Sequence, residues 1–249
     1  MSDVRPVLVV KVGTSTLLDS TEAPSHTFEY VATSILALRD TYNVVLVTSG
    51  AIGFGVRRIG LSERPRQLEQ LQALSMIGQV GLLKRWREAF DETTLGQVLV
   101  TRRDLERDTT AQLFVSSINA VWAYGGVPIV NENDAVSTEE ISFGDNDSLA
   151  AEVAAVLNAD SLVLLTDQDG IQANYGTDSQ SRLEVVTVKD AAQHIAPTTS
   201  LHGKGGASSK LIAAELALRS GSNVYVSHAG KSGSIEAALS GKLGTKIVQ

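Results

Sequence analysis

Through residue 166 the apolar residues cluster in short, unbroken, mostly branched runs. Residues 7–12 (VLVVKV), 43–48 (NVVLVT), 96–100, 127–130 and 161–166 are strand-sized and do not alternate with polar residues. Such continuous runs suit strands of a parallel sheet that is covered on both faces. Between them lie segments with apolar residues near helical spacing, such as Phe28, Val31, Ile35 and Leu38 within 26–41. Segments 67–90, 110–124, 147–158, 208–220 and 234–240 read as further helices. Strand and helix in alternation predict βαβ units: an α/β fold with a mainly parallel sheet and helices on both sides. Two polar stretches, 131–145 and 170–183, interrupt the alternation. Long loops leaving the strands of open α/β sheets are where ligands usually sit. No repeat, low-complexity tract or linker separates the halves, so a single domain over 1–249 is expected.

Composition narrows the chemistry. The chain has 249 residues, 43% hydrophobic and 20% charged, which are ordinary globular values. Its net charge is −7, which argues against broad binding to nucleic acid or to an anionic membrane. It leaves room for a local phosphate site built from N–H groups and a few lysines. There is no cysteine, so disulfides, thiolate zinc sites, iron–sulfur clusters and a Cys nucleophile are excluded. The four histidines are scattered without ligand spacing. Residues 1–6 show no basic stretch leading into an apolar core, and no run approaches the ~20 residues of a membrane span. A cytoplasmic protein without membrane partners is expected.

The candidate chemistry gathers at the strand exits. The phosphate-loop pattern fails: Gly230-Lys231-Ser232 supplies its end, but Tyr225 stands where the first glycine belongs. The dinucleotide pattern fails too, because Ser208 replaces its last glycine. Lys11 near the end of a buried strand must reach a polar cleft or snorkel at an edge, and Gly13 begins a turn that can expose N–H groups to an anion. Thr48-Ser49-Gly50-Ala51 reads as a helix start by capping, a role compatible with ligand binding. Asn131-Glu132-Asn133-Asp134 suits a clamp for an ammonium and a carboxylate, or a plain turn. Gly144-Asp145-Asn146-Asp147 caps a helix or positions lysines or Mg²⁺ around phosphates. Thr166-Asp167-Gln168-Asp169-Gly170 reads equally as a tight turn or a ribose or metal site. Residues 203–210 (GKGGASSK) let the backbone approach a polyphosphate at a helix start, with Lys210 one turn in. Two lysines and several Asp and Asn, with no Cys, His pair or nucleophile elbow, fit phosphoryl transfer better than hydrolysis.

Taken in order, these motifs resemble the glutamate 5-kinase family of the amino acid kinase superfamily. The likeness rests on Lys11-Val-Gly-Thr-Ser, 47–52 (VTSGAI), 127–136 (VPIVNENDAV), Gly144-Asp-Asn-Asp147, 164–168 (LLTDQ) and Gly205-Gly-x-Ser-x-Lys210, spread over nearly the whole chain. The resemblance implies a three-layer αβα sandwich and the reaction of ATP with L-glutamate to give ADP and L-glutamyl 5-phosphate, the first step of proline synthesis. It implies Lys11 and Lys210 flanking the transferred phosphoryl group, with Asp147 holding both lysines. Ser49, Gly50, Ala51, Asn131, Asp134 and Asn146 would bind glutamate. Lys11, Gly13, Thr166, Asp167, Lys204, Gly205, Gly206, Ser208, Ser209 and Lys210 would bind ATP, with Mg²⁺ carried mainly on its phosphates. The part before about residue 160 would then serve glutamate and the part after it ATP. A homo-oligomer, dimer or tetramer, and feedback by proline are further family expectations. The alternative is a non-catalytic member of the same fold, or one with a different acceptor.

This chain also departs from the family pattern. No C-terminal PUA domain of the kind many members carry is expected. Lys204 and Ala207 stand where the family usually has Thr and Met. Residues 171–174 (IQAN) replace a Leu/Ile-Tyr-Thr stretch followed by Asp/Asn-Pro, and Leu113-Phe114-Val115 replace Asn-Ala-Arg.

Overall fold

Branched apolar runs need cover on both faces, and in the strand β1 (Val7–Val12) that cover is nearly complete, with every residue after Val7 buried. The computed structural model describes residues 5–18, 26–137, 146–174, 176–194 and 207–249. After β1 come α1 (Thr14–Leu18), α2 (Thr27–Leu38), β2 (Asn43–Val47), α3 (Ala51–Ile59), α4 (Leu68–Phe90) and β3 (Leu95–Val100). Then follow α5 (Arg102–Glu106), α6 (Asp108–Ala123), β4 (Val127–Glu132), α7 (Asn146–Val156) and β5 (Ser161–Thr166). A small hairpin, β6 (Gln172–Ala173) with β7 (Ser181–Arg182), precedes β8 (Val185–Thr187), α8 (Val188–Ala191) and a 3₁₀ turn. The chain closes with α9 (Ala207–Arg219), β9 (Asn223–His228), α10 (Ser234–Leu239) and β10 (Thr245–Val248).

The main sheet has eight strands in the order β3-β4-β2-β1-β5-β9-β10-β8. The first six run parallel, β10 is antiparallel to β9, and β8 joins β10 in parallel. Alternate residues of each strand face opposite helix layers. Val9, Val45, Val47, Leu162 and Leu164 pack with α6, α7 and α9. Leu8, Val10, Leu46, Val163 and Leu165 pack with α2, α4 and α10. The expected three-layer αβα sandwich is therefore present. Lys11 follows Val7 and Val9 on the α7 face, so its ammonium is directed into a helix–sheet layer where a charge needs a partner.

Several expected boundaries hold within one to three residues, as helix ends generally do. The strand expected at 127–130 runs on through Asn131 and Glu132, both buried. The helix start expected at Thr48-Ser49-Gly50-Ala51 is present: α3 begins at Ala51 with Gly50 as its cap, at φ 105 and with no side-chain cap bond. Glycine adopts that left-handed backbone without strain, which leaves the Thr48 and Ser49 side chains free for other contacts.

The helix pair α3–α4 packs backbone against backbone. A Cβ on Gly78 would sit 1.8 Å from the Ala51 carbonyl oxygen, and one on Gly55 would sit 2.1 Å from that of Leu74. Lower in α4, fully buried Trp86 packs against Phe28 with ring centroids 4.5 Å apart and planes tilted by 57°, and donates its indole N–H to the Thr48 hydroxyl at 2.9 Å. The helix is thus fastened at two heights to the segment that leaves β2. Among the described residues, no helix is long and apolar enough to cross a membrane.

Candidate active site

Two lysines distant in sequence converge on one carboxylate. Lys11 Nζ lies 2.5 Å from Asp147 Oδ1, and Lys210 Nζ lies 3.1 Å from Oδ2. The Ser209 hydroxyl donates to Oδ2 at 2.9 Å. Asp147 is wholly buried and Lys11 is 4% exposed, while the Lys210 side chain keeps 14% exposure. Asp147 stands in the first turn of α7, where the helix dipole favours a negative charge. Burial pushes its carboxyl up, but Lys11 and Lys210 together outweigh that and hold it below the usual carboxylate range. Two lysines thus share one carboxylate at the C-terminal ends of the parallel strands.

The neighbouring residue begins a second arrangement. Asn146 is buried, and its amide nitrogen donates to the Thr48 carbonyl at 2.6 Å and to Asn131 Oδ1 at 2.7 Å. Asn131 in turn donates to Gln79 Oε1 at 2.9 Å. Thr48 is itself tied to β4 through its N–H to the Val130 carbonyl. Asp134 follows in a turn, within electrostatic reach of Arg64 from the α3–α4 connection. Burial lowers the Arg64 pKa, partly offset by Asp134. Ser49 is buried beside Thr48, and Gly50 and Ala51 open α3.

Thr166 and Asp167 lie on the other side of β1. Thr166 ends β5, in register with His228 at the end of β9, and its hydroxyl donates to Asp167 at 3.0 Å. Asp169 and Lys231 form an ion pair at 2.5 Å nearby. Burial lowers the His228 pKa, and Lys231 pushes the same way, against Asp169 and Asp167. Gly13 sits at the end of β1, close enough for an added Cβ to meet the Lys11 ammonium at 3.6 Å. Ser208 is exposed at the start of α9. The expected ligands Lys204, Gly205 and Gly206, together with Gly144 and Asp145, lie outside the described residues.

The site therefore unites Lys11, Asp147, Ser209 and Lys210, and separately Asn131 and Asn146. Thr166 and Asp167 are bonded to each other on the far side of β1. Sequence reasoning missed Gln79, Arg64 and the Asp169–Lys231 pair. The one signal for Gln79 is the adjacent Gly78, a helix-interior glycine that marks close approach. Of the departure at 113–115, Phe114 is buried in the core and Val115 packs against it, while Leu113 is exposed. Among the described residues no group of three His, Cys, Asp or Glu is placed to hold a metal. A cavity of about 270 Å³ opens near Arg5, Arg39, Tyr42 and Trp122, at the opposite ends of the strands. Both guanidinium groups there brace backbone carbonyls, of Arg39 and Gly125, far from the lysine cluster.

Comparison with known proteins follows the same lines. The model of the amino acid kinase family matches residues 6–228. A glutamate 5-kinase of Gloeobacter violaceus is 39% identical over 96% of this chain and 68% of its own. One from Clostridium acetobutylicum is 35% identical over 93% of this chain and 90% of its own. A probable glutamate 5-kinase of Schizosaccharomyces pombe is 36% identical, and there the chain spans 59% of the relative's length. Among solved structures, carbamate kinase from Giardia lamblia bound to AMP-PNP superposes with TM-score 0.69 over 100% of this chain and 99% of that one, at 16% identity. At that identity the likeness speaks for the fold alone.

Proposed function

The chain belongs to the amino acid kinase family, and we propose that it transfers the γ-phosphoryl group of ATP to the γ-carboxylate of L-glutamate. The observation that carries this reading is the convergence of Lys11 and Lys210 on buried Asp147. Phosphoryl transfer asks a protein mainly to position groups and to neutralise spreading charge. Two ammonium groups fixed by one carboxylate suit that task. A carboxylate acceptor is already ionised at neutral pH, so the attacking oxygen needs no general base.

Sheet order supports the division of labour. Across the sheet, β4 and β2 lie on one side of β1, and β5 and β9 on the other. Ser49, Gly50, Ala51, Asn131, Asp134 and Asn146 accordingly flank Lys11 on the first side and receive glutamate. Thr166 and Asp167 flank it on the second and, with segment 204–210 and Gly13, receive ATP. The glutamate γ-carboxylate and the γ-phosphorus meet between Lys11 and Lys210. The attacking oxygen forms the new P–O bond while the bond to the β-phosphate oxygen breaks, leaving ADP and an acyl phosphate.

The Asp147 oxygens face Lys11, Lys210 and Ser209, so in this proposal the carboxylate positions the lysines. Mg²⁺ carried mainly on the ATP phosphates would supply further charge neutralisation there. A cytoplasmic location, a homo-oligomer and sensitivity to proline belong to the same proposal. Size-exclusion chromatography tests the oligomer, and the initial rate of ADP release with and without proline tests the feedback.

The direct test is ADP release from Mg-ATP with and without L-glutamate, trapping the acyl phosphate as its hydroxamate. Glutamate-dependent ADP with matching hydroxamate supports the reading. Folded protein that gives neither overturns it.

A further inference from the structure

The amide chain beside the lysine cluster has a fixed polarity. A peptide carbonyl can only accept, so the group that Asn146 turns toward Thr48 must be its NH₂. The same NH₂ reaches Asn131, so the Asn131 atom facing it must be oxygen. The Asn131 NH₂ then faces Gln79, whose near atom must also be oxygen. The order of atoms is thus dictated from one end by backbone. Gln79 is left with its NH₂ at the far end of the chain.

That terminal nitrogen is buried and has no hydrogen-bond partner among the described residues. A buried unmatched donor is expensive and usually marks a missing ligand or water. Its surroundings indicate which. Gly78, one residue earlier, lets α4 press directly onto the Ala51 backbone, so Gln79 is held where α3 begins. Further up the helix, Gln72 reaches the Ser137 carbonyl at 3.5 Å, at the end of the turn that contains Asp134. The Gln79 donor therefore lies among the residues assigned above to the acceptor, away from the end where Asp147 holds the lysines.

We propose that Gln79 Nε2 donates to the α-carboxylate of the acceptor substrate and is a specificity-determining residue of the site. This rests on the reading that the acceptor is L-glutamate. Its γ-carboxylate goes to the lysines, its ammonium to Asp134, and its α-carboxylate to Gln79. The unmatched donor finds an acceptor only when substrate binds, so a substrate with an α-carboxamide loses the contact or presents a second donor to it.

The test uses Gln79→Glu. This variant keeps an oxygen facing the Asn131 NH₂, so the inner chain survives while the outer donor becomes an anion. Turnover and calorimetric binding are measured for L-glutamate and for its α-carboxamide, isoglutamine, in wild type, Gln79→Glu and Gln79→Met. The expected result is a rise of tenfold or more in the glutamate KM for both variants, with the ATP KM within twofold. In Gln79→Glu the preference for glutamate over isoglutamine falls at least tenfold. A glutamate KM within twofold of wild type in either variant overturns the proposal, since Gln79 then only holds Asn131 or an internal water. If neither variant folds, wild type decides alone: equal binding of glutamate and isoglutamine overturns it, and a tenfold preference for glutamate supports it. If wild type neither binds nor turns over L-glutamate, the reading of the acceptor has failed, and this inference with it. If wild type binds glutamate and the variants bind it equally well, this inference alone has failed.

Discussion

Replacing Asp147 by Asn removes the charge and keeps the volume. At the observed separations of 2.5 and 3.1 Å, the attractions to Lys11 and Lys210 amount to about 7 and 5 kcal/mol at an effective dielectric of ~20. Desolvating three ionic groups offsets most of that sum. What remains measurable is the effect of leaving Lys11, 4% exposed, without its counter-ion, which for a buried pair is about 3–5 kcal/mol. Urea unfolding at pH 7 should show a loss in that range. The pH dependence gives the sharper check. The Asp147 carboxyl is held below its ordinary value of 3.8, so its contribution is fully present above about pH 4. It is lost as pH falls toward the lower folded-state value, at about 1.4 kcal/mol per pH unit. The gap between wild type and Asp147→Asn should therefore stay constant from pH 7 to 5 and narrow from pH 4 to 3. A gap below about 1 kcal/mol at pH 7, or one that does not change with acid, would refute the ionic argument.

Other consequences are open to direct measurement. Lys210→Ala should lower glutamate-dependent ADP release by about 10²–10³-fold, in line with loss of one fixed charge stabiliser, while circular dichroism stays native; an unchanged rate would sink the assigned role. Gly78→Ala places a Cβ 1.8 Å from the Ala51 carbonyl, so overpacking should destabilise by about 1–3 kcal/mol or more and raise the glutamate KM; a thermal midpoint equal to wild type would show that α3 and α4 can part. Trp86→Phe removes the 2.9 Å bond to Thr48 and should be less stable than wild type by about 1 kcal/mol from that bond, plus a packing loss, read from chemical denaturation. Lys231→Ala breaks an ion pair whose members are 47% and 38% exposed, so its unfolding midpoint should stay close to that of wild type.

The parts of the molecule that sequence reading reaches most readily are those where one residue type contradicts its surroundings. Lys11 at the end of an apolar strand, Asp147 at a helix start and Lys210 after a glycine-rich stretch each carry a charge that needs an explanation. The structure supplies one partner set for all three. Strands β1 and β5 are equally plain, because both are buried nearly throughout. The end of the sheet beyond β5 is harder to read. There β8 has three residues and β10 has four, and β10 reads Thr-Lys-Ile-Val, with its pairing decided by neighbours distant in sequence. The side chain of Gln79 leaves no trace in the periodicity of α4, since an amphipathic helix tolerates glutamine at any polar position. Only the approach of α4 to Asn131 gives it meaning.

Asn146 and Asp147 are consecutive, yet one is bonded to Thr48 and Asn131 and the other to the two lysines. Their separation is set by a single peptide unit, ~3.8 Å between Cα atoms, which neither side-chain repacking nor helix sliding can stretch. On the proposed reaction that unit works as a covalent ruler between the seat of the amino acid's backbone groups and the place where its side-chain carboxylate meets phosphorus. An acceptor shorter by one methylene would leave its oxygen short by about 1 Å, a displacement of the size that costs ~10²-fold in rate. On that proposed reaction, length discrimination would be written into the main chain itself.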